Sequence, residues 1–148
     1  KHGDRQEIAR PAGLWLANAI RGIVPDHALI APIPLHWLRM VKRRYNQSAL
    51  LARALAAQLD HSCSPDLLQR VRRTRSLDGL NREERRKTLE NAIRVHPRRR
   101  HQIAGRPVVI VDDVMTTGAT LAAATRACHD AGSGAVFIVT LARVGKAP

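Results

Sequence analysis

The chain has 148 residues, enough for one domain with a sizeable core, and its longest apolar runs, such as 135–142, are too short to cross a bilayer. Its net charge is +13, with 21 Arg against four Lys, which favours an anionic partner, either a phosphorylated small molecule or a nucleic acid. Two cysteines make no disulfide scaffold, and four aromatic residues are few for stacking single-stranded nucleic acid.

Residues 1–10 are polar and expected to fray, with no apolar leader, so a cytoplasmic protein is expected. A helix is expected from Pro11, with Leu16, Ile20 and Ile23 at helical spacing and Gly22 and Pro25 ending it. Residues 28–31 read as a strand, closed by Pro32–Ile33–Pro34. Next comes a cation-rich connection through Arg39, Lys42, Arg43 and Arg44 to Gln47, then a helix with Leu51, Ala54, Leu55 and Leu59 on one face. The basic run reads either as a solvated helix start or, because cations near a helix N-terminus oppose the dipole, as the surroundings of an anion. His61, Ser62 and Cys63 look like half a metal site, but no second pair completes four ligands, and a helix-end His beside a small buried thiol is the expectation.

Residues 66–71 read as a strand and 72–80 as a basic, glycine-containing loop. Asn81 with Glu84 has the spacing of a capping box, opening a polar helix over 82–91. That helix lacks a clear apolar stripe, so 72–90 reads as a mobile lid or, with equal weight, a solvated insertion. Residues 92–95 read as a short strand, and 97–101 turn back through the triplet Arg98, Arg99 and Arg100, a candidate for polyanion contact, with a solvated turn as the favoured alternative.

The chain's centre is Val108–Val109–Ile110–Val111–Asp112–Asp113, followed by Val114, Met115 and Thr116–Thr117–Gly118–Ala119–Thr120. The apolar run reads as a strand buried on both faces of a parallel sheet, with two carboxylates at its carboxyl end, where open α/β sheets bind ligands. The hydroxyl-rich loop leads into a helix over 119–131 that presents Leu121, Ala124, Cys128 and Ala131, and its exposed N–H groups make an anion site. Acids that accept from a diol and a loop that holds a phosphate together fit a ribose 5-phosphate. Residues 135–142 read as a second buried strand, completing a right-handed strand–helix–strand unit.

These residues resemble the phosphoribosyl-pyrophosphate (PRPP) motif of type I phosphoribosyltransferases. Pro32–Ile33–Pro34 with Arg39 and Arg43–Arg44–Tyr45–Asn46–Gln47 is similar to a block of the ComF/GntX-like (competence protein F) branch, as are Thr74 to Leu80 with Glu84–Arg85–Arg86, and the ending Val139–Thr140–Leu141–Ala142–Arg143. Arg44 and Tyr45 stand where the branch usually has Gly and Phe, Leu77 and Thr88 where it has Gln and Asn, and its usual N-terminal zinc-binding cysteine segment is not in this sequence.

The resemblance implies an α/β type I phosphoribosyltransferase fold: one domain with a central, mainly parallel sheet flanked by helices and a mobile hood or lid insertion. It implies that Asp112 and Asp113 take the ribose hydroxyls. Thr116, Thr117, Gly118, Ala119 and Thr120 would take the 5-phosphate, and Arg39, Arg43 and Arg44 the pyrophosphate. The implied reaction displaces pyrophosphate from PRPP with a nitrogen nucleophile, with Mg²⁺ arriving on the substrate and no dedicated metal site in the protein. No catalytic residue is assigned. Some purine-using members carry an acid at the position of Thr116, and threonine cannot serve as that base. Alternatives are a competence accessory protein binding single-stranded DNA and a PRPP sensor that does not turn over. A homodimer is a further expectation, and a membrane partner is not.

Overall fold

Strand β4 (Val108–Met115) is the centre of the molecule: β1 (Leu29–Pro32) pairs with it on one side and β5 (Val136–Arg143) on the other, both parallel. The computed structural model describes residues 3–35, 45–71 and 79–145. The register sets Ile30 beside Val109 and Ile110 beside Ile138. Residues 62–64 extend the outer edge of β1, because Ile30 N–H donates to Ser62 O and Ser64 N–H donates to Ile30 O, both at 2.9 Å.

Alternation along β4 explains the layers. Val108 and Ile110 face one side of the sheet and Val109 and Val111 the other, and all four are fully buried. Burying each such side chain contributes about 1.5–3 kcal/mol, so a strand covered on both faces is strongly held. The Val109 side packs on α1 (Gly3–Ile20) and α2 (Gln47–Leu59), through Leu16, Leu51 and Leu55. Gly13 permits that pairing, since a Cβ there would lie 2.7 Å from Ala54 Cβ. The Val108 side packs on α4 (Ala119–Asp130), through Leu121, Ala124 and Cys128, and on the antiparallel pair β2 (Leu68–Arg70) and β3 (Ile93–Val95). Between β2 and β3 lies α3 (Arg82–Leu89), with its capping box formed: Asn81 and Glu84 exchange two 2.9 Å bonds.

The mainly parallel α/β architecture stands as expected, and four local expectations change. The first helix begins at Gly3 and carries Pro11 inside it, so 3–10 are helical. It ends at Ile20, and of the residues just beyond it Ile23 is exposed while Val24 is buried in the core. Residues Pro97–Ile103 close into a 3₁₀-helix with Pro at its start, pinned by buried Ile103. The last strand is half-exposed: β4 alone pairs it among the described residues, and only Val139 is fully covered, with Ile138 and Leu141 exposed. An apolar run does not distinguish a central strand from an edge strand. Among the described residues, no helix is long and apolar enough to cross a membrane.

Candidate functional site

The two acids do not end their strand. β4 continues through Asp112 and Asp113 to Met115, still paired with β5 at Val114 and Met115, and Val144 N–H donates to Met115 O at 3.0 Å. The carboxylates are thus mounted on rigid backbone, and the loop 116–118 begins one residue beyond the ladder. Asp112 Oδ1 accepts from the Ser48 hydroxyl at 3.0 Å and from the Asp113 N–H at 2.9 Å. Asp113 Oδ1 accepts from the Val114 N–H at 2.9 Å. Burial pushes the Asp112 carboxyl up to about 6; the Ser48 bond opposes that rise, and the adjacent Asp113 carboxyl adds to it.

Ser48 reaches Asp112 because Asn46 fixes the start of α2. Asn46 Nδ2 donates to Ile33 O at 3.0 Å, tying α2 to the end of β1, and its Oδ1 caps the Ala49 N–H. Ser48 is one of two buried polar residues of the described chain. Sequence reasoning missed it, since its partner Asp112 lies 64 positions away in the chain.

Gly118 holds φ +76° at the N-cap of α4, the left-handed turn that swings the chain from β4 into the helix. Gly118 makes no side-chain cap, so the first turn of α4 presents its N–H groups, with only a 3.4 Å bond from Ala119 N–H to Thr117 Oγ1. Thr116 and Thr117 are exposed and Gly118, Ala119 and Thr120 half-buried, so the loop is accessible to a ligand. A second missed residue overhangs it: Arg85 of α3 donates Nη1–H to Thr116 Oγ1 at 3.4 Å. Beside Asp113 a cavity of about 810 Å³ opens between Ala12, Tyr45, Leu50 and Leu141, ample for a small ligand.

The structure therefore brings Asp112, Asp113 and residues Thr116 to Thr120 together at one end of β4. Arg39, Arg43 and Arg44, and Leu77 of the expected lid, lie outside the described residues. The described part of that segment is held at its C-terminal end, where Leu89 is buried in the same core as Leu121. Two arginines of the 98–100 triplet are occupied. Arg99 makes two bonds to Asp66 Oδ2, at 3.0 and 2.8 Å, holding that carboxyl below its usual range. Arg100 donates to Asp130 O at the end of α4.

A strand carrying an acid pair, a Thr-Thr-Gly turn and a helix that starts at the turn coincide with a known domain: residues 46–147 match the phosphoribosyl transferase domain. The chain belongs to the phosphoribosyltransferase family. Within that family it is 34% identical to competence protein F of Haemophilus influenzae over 92% of this chain, and 34% identical to the DNA utilization protein YhgH of Escherichia coli K12 over 81%. It spans 61% and 50% of those relatives' lengths. Among solved structures, the Bacillus subtilis glutamine PRPP amidotransferase superposes with a TM-score of 0.62 at 17% identity, over 92% of this chain and 26% of that one. The Trypanosoma cruzi hypoxanthine phosphoribosyl transferase superposes at 0.52 and 17%, over 97% and 75%. The phosphoribosyltransferase fold is thus common to enzymes otherwise distant in sequence.

Proposed function

We propose that this chain binds PRPP as its magnesium complex and transfers the phosphoribosyl group to a nitrogen nucleophile. The supporting observation is that one continuous segment, β4 to α4, carries both an acid pair on rigid strand and an open, hydroxyl-lined helix start. Asp112 and Asp113 would accept hydrogen bonds from the ribose 2- and 3-hydroxyls, and charge-assisted bonds of that kind are about twice as strong as neutral ones. Thr116, Thr117, Gly118, Ala119 and Thr120 would hold the 5-phosphate through hydroxyls and backbone N–H groups. Arg39, Arg43 and Arg44 are proposed for the pyrophosphate, where paired guanidinium donors suit its oxygens.

In the reaction the bond from the anomeric carbon to pyrophosphate breaks, a carbon–nitrogen bond forms, and the nitrogen's proton leaves to solvent or to the departing pyrophosphate. The transition state gathers positive charge on the ribose ring, so holding the sugar and stabilising the leaving group supply most of the acceleration. Mg²⁺ belongs to the substrate here and neutralises pyrophosphate charge as it departs. The test is pyrophosphate release from Mg²⁺–PRPP across a panel of nucleobases and amines. Acceptor-dependent release supports transfer. Binding without release from any acceptor replaces transfer with a PRPP sensor.

A second reading, binding of single-stranded DNA, is favoured by the +13 charge and by the names of the two bacterial relatives. It predicts affinity for an oligonucleotide that falls steeply with salt as counterions are released. Lack of binding at low salt removes it.

A further inference from the structure

Arg85 is the cation whose placement the ribose-phosphate reading has not used. Two acids of its own helix, Glu83 and Glu84, precede it in sequence, and both are committed elsewhere. Glu84 closes the capping box with Asn81, and Glu83 is paired with Arg86 on the solvent side at 2.6 Å. Arg85 itself donates Nε–H to Leu80 O at 2.9 Å, which fixes the side chain, and Nη1–H to the Thr116 hydroxyl. Neither partner carries charge, so among the described residues no carboxylate neutralises this half-buried guanidinium. The 3.4 Å bond to Thr116 is longer than the usual 2.7–3.2 Å range of N–H···O bonds. It is weak enough to yield to a stronger acceptor.

The mounting is also fixed at the other end. Leu89 buries the last turn of α3 beside Leu121 of α4, and α3 packs on α4. Arg85 therefore meets the loop 116–118 at the Thr116 hydroxyl, two residues before the N-cap of α4. A dianion that accepts from the Thr116 hydroxyl would lie within reach of this guanidinium.

We infer that Arg85 is a phosphate-binding residue of this site, contributed by α3, and that it couples occupancy of the loop 116–120 to the docking of residues 79–89. The inference rests on the proposed assignment of that loop to a phosphate. On binding, the guanidinium exchanges its Thr116 bond for phosphate oxygens, and the Thr116 O–H, which the Arg85 bond leaves unused, donates to the same group.

The experiment compares Arg85→Gln, Arg85→Lys and Arg86→Gln with the wild type, using ribose 5-phosphate and unphosphorylated ribose as probes in titration calorimetry. Hydrogen–deuterium exchange of 79–89 is measured alongside. Arg86→Gln makes the same charge change one residue away, on the side paired with Glu83. The expected result is roughly ten-fold weaker ribose 5-phosphate binding for Arg85→Gln, the scale of one hydrogen bond to a charged group, with Arg86→Gln unchanged. Arg85→Lys should retain part of the affinity, and the phosphate should protect 79–89 in the wild type but not in Arg85→Gln. Wild-type affinity in Arg85→Gln, or equal losses in Arg85→Gln and Arg86→Gln, overturns the inference and leaves the PRPP reading standing. If the wild type binds neither ribose 5-phosphate nor PRPP, both fall together.

Discussion

The Ser48 hydroxyl donates to Asp112 Oδ1 at 3.0 Å, joining residues 64 positions apart across α2 and β4. The bond aims one carboxylate of the acid pair and opposes the effect of burial on it. Ser48→Ala removes a hydrogen bond to a group that must be charged to accept from a diol, a loss of about 1.5–3 kcal/mol in the usual range. We expect roughly ten-fold weaker ribose 5-phosphate binding at pH 7, with the acidic limb of the affinity profile moved upward. Calorimetric titration between pH 5 and 8 reads both. An unshifted limb would give Ser48 a packing role only.

Asp112 should make affinity and stability move in opposite directions with pH. Its carboxyl sits at about 6 against an ordinary 3.8, so the folded state holds a proton that the unfolded state has released between those values. Stability contributed by this group is therefore present below the lower value and lost as pH rises through the upper one, because the buried carboxylate must then be charged. Diol binding needs the charged form and improves over the same rise. Asp112→Asn is expected to be at least as stable as the wild type above pH 7 and to bind poorly. The ligand's phosphate titrates in the same region, so Asp112→Asn also serves as the reference for the affinity profile. Urea unfolding at pH 5 and pH 8 checks the sign: wild-type stability attributable to Asp112 should fall between them, relative to the variant.

Gly118 is a conformational requirement rather than a steric one. A Cβ there would meet only Met115 Sδ, at 3.7 Å, an ordinary contact, yet φ is +76°. Gly118→Ala should cost about 1–2 kcal/mol in urea unfolding, the left-handed penalty of a residue with a side chain. Because the strain sits on the phosphate loop, affinity for ribose 5-phosphate should fall as well.

At Gly13 the balance is reversed. Alanine is favoured over glycine inside a helix by about 1 kcal/mol. Its Cβ would lie 2.7 Å from Ala54 Cβ and 2.9 Å from the Ala54 carbonyl carbon, and overpacking typically costs about 1–3 kcal/mol. The clash should win, so that Gly13→Ala destabilises the protein, and Ala54→Gly in the same chain should restore part of the loss. Denaturant midpoints of the single and double variants measure this.

Much of this was legible in the sequence because the informative signals were local. The run of four buried residues in β4, the Asn81–Glu84 capping box and the turn at Gly118 each depend on a few adjacent residues, and each formed where its pattern lay. Ser48 and Arg85 were not legible as site residues, because their meaning comes from contacts 64 and 31 positions away. The Arg98–Arg100 triplet shows the converse. As a string it promised free positive charge, but Arg99 is bound to Asp66 and Arg100 to the end of α4, contacts that a charge count cannot see. The partial exposure of β5 was hidden for a similar reason, since burial of a strand depends on what pairs with its far edge.

The most direct test is calorimetric titration of Mg²⁺–PRPP into the wild type and into the Asp112→Asn, Asp113→Asn double variant at pH 7.5. The proposed site predicts saturable binding by the wild type and a loss of at least ten-fold in the variant, with unfolding midpoints showing that both proteins are folded. Equal affinity in the two proteins, or no binding by the wild type, would contradict it.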